Sequence, residues 1–288
     1  MIEDYITPIK RVFEQNSNRE ACRRELTKLL SGTKQILRHH MDKNDVRVEG
    51  AVDYLLQPDT RRRLHRFNLK EWKQCERTVT RKMKKLLGDI PEPDIVLYPG
   101  MRRSNGKLIH LGKRSAISLA PDFGYCSGDN LYLLIAHEYV HYLRAVLANA
   151  RFDNQPIYKY LFEEGFAVYL SAQVMPDRPL STIFMSSLHH VIGMKDPRGG
   201  YVKWCANNLP MIASVALEAL GTKSRNHARW LFECDRLKGE NTPIRTGYFL
   251  GFKMIEAALQ ELRLKNLLTF KPTLRKARKW IESLATPA

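Results

Sequence analysis

From residue 131 to the C-terminus, apolar residues recur at helical spacing with few breaks. Leu131–Ala150 reads as one long helix, with Asp129 or Asn130 as its cap. Ile157–Val174 reads as another, ended by Pro176, and further helices are expected over Leu180–Ile192, Tyr201–Leu220, Arg225–Leu237, Thr246–Leu262 and Thr273–Leu284. Upstream the period changes. Asp94–Tyr98, Lys107–Leu111 and Ser115–Leu119 are short β-like runs, the first stopped by Pro99-Gly100 and the other two separated by Gly112-Lys113. Residues 1–90 read as helices again. Ser17 followed by Glu20, and Asn68 followed by Glu71, are capping-box patterns, and Gly88 and Pro91 close the second of these helices. This order predicts an α+β protein: a helical N-terminal extension over 1–90, then a small sheet and a mostly α-helical C-terminal part over 91–288.

Within the first long helix stands His137-Glu138-Tyr139-Val140-His141, an H-E-x-x-H sequence. Four residues apart on a helix, the two imidazoles share a face one turn apart and can reach one ion. Glu138 stands where a general base acting on a metal-activated water is needed. The flanks, Leu131 to Ala136 and Tyr142-Leu143, are apolar all round, as in a buried helix. Three ionisable groups there are costly unless paired or bound to metal.

A catalytic zinc site takes three protein ligands and leaves a position open. A third histidine of the metzincin kind is excluded, because Arg144 and Leu147 stand where Gly and His would be required. The next helix carries Glu163-Glu164. Glu164, Ala167 and Ser171 fall on one face, whose small residues would let this helix approach the H-E-x-x-H helix closely. Glu164 is therefore the expected third ligand. Glu163, about a quarter-turn away, is expected to support the site from behind or to be solvated. Two imidazoles and a carboxylate suit zinc, Zn2+, well.

H-E-x-x-H followed by Glu164-Gly165-Phe166-Ala167-Val168-Tyr169 resembles the gluzincin metallopeptidases, in particular the thermolysin-like aminopeptidase family. It is also similar to a group of bacterial proteins predicted to be zinc-dependent peptidases. In the aminopeptidases an N-E-G-F-A segment supplies the glutamate ligand; here Glu163 replaces the Asn. Tyr248-Phe249-Leu250-Gly251 resembles their Y-x-x-G motif, which implies that Tyr248 donates its phenol to the transition-state oxyanion. The resemblance implies a zincin-like fold and a peptide or protein substrate. It also implies an edge strand preceding the metal helix, here Ser115–Leu119, that pairs with an extended substrate. The spacing from His141 to Glu164 is a few residues longer than in that family. Ser115–Pro121 replaces its Gly-x-Met-Glu-Asn segment, so the resemblance carries no implication of exopeptidase activity. The adjacent pairs His39-His40 and His189-His190 read as surface or interface histidines, with His189 or His190 a substitute for Tyr248 as donor; His110 falls on a strand and could line a cleft.

The net charge is +17. Residues 1–90 hold 21 Lys/Arg against 13 Asp/Glu, residues 91–222 hold 12 against 11, and residues 223–288 hold 14 against 6. The two ends are basic, which suits contact with nucleic acid or an acidic protein. A second reading follows: a nucleic-acid-associated protein whose peptidase acts on bound proteins, or whose zinc site is structural. The five cysteines are scattered without metal or redox spacing. No signal peptide or membrane span is legible, so a cytoplasmic protein without membrane contact is expected.

Overall fold

A computed structural model describes residues 1–41, 47–101, 105–112, 114–122, 128–152, 154–188, 200–232 and 245–285. They divide into two units, one of residues 1–81 and 91–138 and one of residues 82–90 and 139–288.

The first unit opens on β1 (Ile2–Asp4), a strand too short for periodicity to reveal. Asp4 then starts α1 (Ile6–Gln15), its Oδ1 accepting from the N–H groups of Ile6 at 2.8 Å and Thr7 at 3.0 Å. In α2 (Arg19–Ser31) the cap is Asn18, whose side chain accepts from the Glu20 N–H at 2.8 Å, one residue after the expected Ser17. Next come α3 (Lys34–His40), α4 (Val48–Leu55) and α5 (Pro58–His65). Pro58 sits in the first turn of α5, where its missing N–H costs nothing. In α6 (Leu69–Leu87), Trp72, Cys75, Val79 and Met83 form the buried stripe. Asn68 caps it as expected, accepting from the Lys70 N–H at 3.1 Å. Gly88 ends it at φ +86, donating to the Lys84 carbonyl at 2.8 Å.

The strands β2 (Asp94–Leu97), β3 (Gly106–Leu111) and β4 (Arg114–Leu119) lie where the sequence placed them. With β1 they form a mixed sheet in the order β1-β2-β4-β3. β1, β2 and β4 are parallel; β3 is antiparallel to β4, with Ile109 opposite Ala116. Ser115–Leu119 is therefore an interior strand, bonded on both sides. The antiparallel edge is β3. A chain running from β4 straight into the long helix left no sequence signal that the preceding hairpin would fold outside it.

His40 corrects a second expectation. It is 2% exposed, stacks on Tyr98 with ring centroids 5.3 Å apart, and its Nε2 shares a hydrogen bond of 2.8 Å with the Ser118 hydroxyl of β4. His39 beside it is half-buried, and its Nε2 meets the carbonyl oxygen of His110 at 3.1 Å. Adjacent positions on α3 face opposite ways, so one imidazole is buried and its neighbour is not.

α7 (Gly128–Ala148) starts in this unit and is continuous across the division. Its first N–H, at Gly128, donates to the Glu71 carboxylate of α6 at 3.2 Å. The second unit then builds α8 (Ile157–Val174), α9 (Leu180–Leu188), α10 (Tyr201–Asn207), α11 (Leu209–Glu218), α12 (Arg225–Phe232), α13 (Thr246–Ala258), α14 (Leu264–Leu267) and α15 (Leu274–Ala285). The single helix expected over Tyr201–Leu220 is two, because Pro210 removes a backbone donor and sits in the first turn of α11. The central crossing is α8 on α13. A Cβ at Gly165 would lie 2.2 Å from the Gly251 carbonyl carbon, and one at Gly251 would lie 2.4 Å from the Leu161 carbonyl oxygen. The close approach of α8 that the sequence assigned to Ala167 and Ser171 against α7 is thus made by Gly165, against α13. Phe184, Phe249 and Phe252 pack beside it with ring centroids about 5.5 Å apart. No helix among the described residues is long and apolar enough to cross a membrane.

Two outcomes follow. Gly165→Ala or Gly251→Ala has no flexible neighbour to displace, so each is expected to destabilise the second unit by about 3 kcal/mol; an unchanged urea midpoint would refute the crossing. Burial, with the Lys107 charge nearby, lowers the pKa of His40 from 6.5 to about 3. Between those values the unfolded chain binds the additional proton, so stability falls as the pH drops through that window. His40→Gln is expected to flatten this part of the stability–pH curve in urea titrations; an unaltered slope would place the acid sensitivity elsewhere.

Candidate metal centre

α7 is held by its apolar surround. Leu131, Leu133, Ile135, Ala136, Tyr139, Val140 and Leu143 are all buried. Into this setting the helix brings Glu138 and His141, each 7% exposed, with His137 half-buried one turn before His141. One ligand-capable atom from each of His137, His141 and Glu164 lies within 4.8 Å of the other two. His141 Nε2 and Glu164 Oε2 are 3.5 Å apart. Zinc bonds of about 2.0–2.2 Å put tetrahedral ligand atoms about 3.4 Å apart, a spacing that the His141–Glu164 edge already matches. The ring of His141 meets Phe152 edge-to-face, with centroids 4.8 Å apart, which restrains its tilt. All three sequence-predicted ligands are therefore brought together, and among the described residues the group stops at three.

The choice between the adjacent carboxylates is made by Arg144. Its guanidinium holds Glu163 through two hydrogen bonds of 2.9 and 2.7 Å, and donates two more to the carbonyls of Leu267 and Leu268 at 2.9 and 2.8 Å. Arg144 is 1% exposed and Glu163 3%. Glu163 is thus neither solvated nor directed at the histidines: both of its oxygens belong to an arginine one turn beyond His141. Arg144 entered the sequence reading only as the residue that excludes a third histidine. Its signal was present, since a cation on a buried helix needs a buried anion, but no spacing rule says which anion.

Glu138 is placed by a glycine that sequence reasoning passed over. Gly106, the first residue of β3, lies so close to it that a Cβ there would stand 2.6 Å from Glu138 Cγ and 2.7 Å from Oε1. Only a residue without a side chain leaves that carboxylate its position. Tyr248 is half-buried in the first turn of α13. It meets Phe232 edge-on at 5.8 Å, and the Arg245 guanidinium lies 6.0 Å from its ring. Phe232 in turn contacts Tyr160 at 5.7 Å, and Tyr160 is one turn before Glu164 on the same face of α8. Tyr201 donates its hydroxyl to the Arg245 carbonyl at 2.8 Å, fixing the start of α13. His110, expected as a cleft residue, is exposed on β3 and bonds the Ser115 hydroxyl at 3.1 Å. His189 and His190 lie outside the described residues, as do Cys126 and Cys234. Cys22, Cys75 and Cys205 are buried free thiols.

No family model, curated protein or solved structure matches this chain.

Arg144→Ala or Glu163→Ala leaves one buried charge uncompensated, and each is expected to cost about 3–5 kcal/mol. The paired change Arg144→Met with Glu163→Leu should recover most of that loss, read from urea midpoints. Additive losses in the double variant would show that the two residues do not act as a pair.

Proposed function

We propose that this chain is a zinc-dependent peptidase of the gluzincin type with a zincin-like fold. The observation that supports the reading is the meeting of His137, His141 and Glu164 beside a buried Glu138, with the competing carboxylate Glu163 occupied by Arg144. His137, His141 and Glu164 would hold the metal. When bound, zinc polarises the scissile carbonyl and brings the pKa of a water towards neutrality. Glu138 takes that water's proton and passes it to the leaving amine. Its position against the Gly106 backbone limits its rotation, so the carboxylate is oriented before substrate arrives. Tyr248 donates its phenol to the developing oxyanion, a role that rests on the resemblance of Tyr248–Gly251 to the aminopeptidase motif.

Substrate pairing moves from the strand first expected to the true edge. β3 begins at Gly106, against Glu138, and has no strand on its outer side among the described residues. An extended peptide adds there. A structural zinc site would be closed by a fourth protein ligand, and the group of three formed among the described residues favours an open, catalytic one. The buried free thiols suit a reducing compartment, and cytoplasmic placement is part of the proposal.

Elemental analysis and peptide turnover test this together. Wild-type protein should carry about one zinc per chain, as one three-ligand catalytic site implies. Glu138→Gln should keep the metal and lose turnover by at least about 100-fold. Glu164→Ala should lose the metal itself. Full turnover in Glu138→Gln, or full metal content in Glu164→Ala, would overturn the assignment.

A further inference from the structure

α6 carries a second feature, independent of the metal centre. Its inner stripe is buried, as described above. Its outer face presents Lys70, Lys73, Arg77 and Arg81, all exposed. At about 100° per residue these four fall within about 80° of arc, along about 16 Å of helix axis. None is in an ion pair among the described residues. The two carboxylates of the same stretch flank the row and are each engaged: Glu71 accepts from the Gly128 N–H, and Glu76 accepts from the Thr80 hydroxyl at 3.1 Å. The same face floors a concavity of about 700 Å³, lined among the described residues by α6 alone. A single-sign row this long raises the local potential and recruits a partner of regular opposite charge.

We infer that this face of α6 docks the phosphate backbone of duplex DNA. One strand of B-form DNA places a phosphate every ~3.4 Å along its axis, so a 16 Å row spans about five phosphates. A folded acidic partner would need an apolar anchor at the centre of the contact, and the face offers none beyond Leu69 at its end. A single strand is held by stacking on exposed aromatic rings, but the aromatic residue of α6, Trp72, is 2% exposed in the core. The deep, narrow major groove of A-form RNA does not admit a helix, whereas B-DNA's does. A row of four cations meeting phosphates supplies the part of recognition that positions a protein on the duplex without reading its sequence. The Glu71–Gly128 bond ties α6 to the start of α7, so DNA held here is held on the unit that carries Glu138.

The test uses the full chain and a fluorescein-labelled 20-base-pair duplex of random sequence, followed by anisotropy from low to high salt. Four phosphate contacts predict a log–log salt slope of about −3.6, and Arg77→Gln alone should reduce its magnitude by about 0.9. The combined variant K70Q/K73Q/R77Q/R81Q should lose binding while keeping the wild-type circular dichroism and urea midpoint. The charge-preserving R77K/R81K should retain binding, as should K276Q on α15. Absence of binding at low salt, or a combined variant that binds like wild type, overturns the inference. So does tighter binding to single-stranded DNA or duplex RNA, or displacement by poly-glutamate as effective as by unlabelled duplex at equal charge.

Discussion

The buried pair of Arg144 and Glu163 is the constraint on which the rest of the candidate metal centre depends. An ion pair at 1% and 3% exposure survives only when nearly all of its hydrogen-bonding capacity is met. Here two bonds run between the partners and two more reach the carbonyls of Leu267 and Leu268 at the end of α14. Three segments are thereby clamped at one guanidinium: α7, α8 and the chain near Leu268. The clamp sets the rotation of α8. Successive helical side chains diverge by about 100°, so once Glu163 is committed to Arg144, Glu164 points where His141 lies 3.5 Å away. A neutral pair of the same shape would hold the helices as well. The charged pair adds selectivity, because a rotation of α8 that presented Phe162 in place of Glu163 would strand the guanidinium in an apolar core.

Two glycines extend the same logic to the backbone. Gly165 follows Glu164 and touches Gly251, the glycine of the Tyr248–Gly251 motif, at the crossing of α8 and α13. The segment that carries Glu164 and the segment that carries Tyr248 thus share one contact point, and neither can shift without opening it. Gly106 does for Glu138 what Gly165 does for the helices: it admits a neighbour where any side chain would exclude it. Fixed positions of this kind are what proton transfer requires, since a carboxylate that wanders by an ångström loses much of its effect.

The sheet of the first unit supplies the edge. β3 lies outside β4 because the hairpin between them folds back antiparallel, while β1 extends the sheet on its other side. Buried His40 ties α3 to β4 through Ser118, and the half-buried His39 beside it meets the carbonyl of His110 on β3. The cationic face of α6 belongs to this same unit, and its anchoring bond to Gly128 makes it a neighbour of the metal helix in the fold.

By itself the sequence determined whatever depends on local spacing: most helices, three of the four strands, the caps at Asn68 and Gly88, and the trio His137, Glu138 and His141, which one helix brings together. It also pointed to Glu164 as the carboxylate that meets the two histidines, although the small-residue face it argued from is not where α8 makes its close approach. Only the tertiary structure decided what Glu163 and Arg144 do, which strand is the edge, where α8 comes closest to a neighbour, and that His40 is buried. Each of these is a choice among partners distant in the chain. Residues 144 and 163, or 165 and 251, carry no mark in the sequence that pairs them. Their meeting is fixed by steric fit and by the cost of leaving a buried charge or a crowded backbone unmatched.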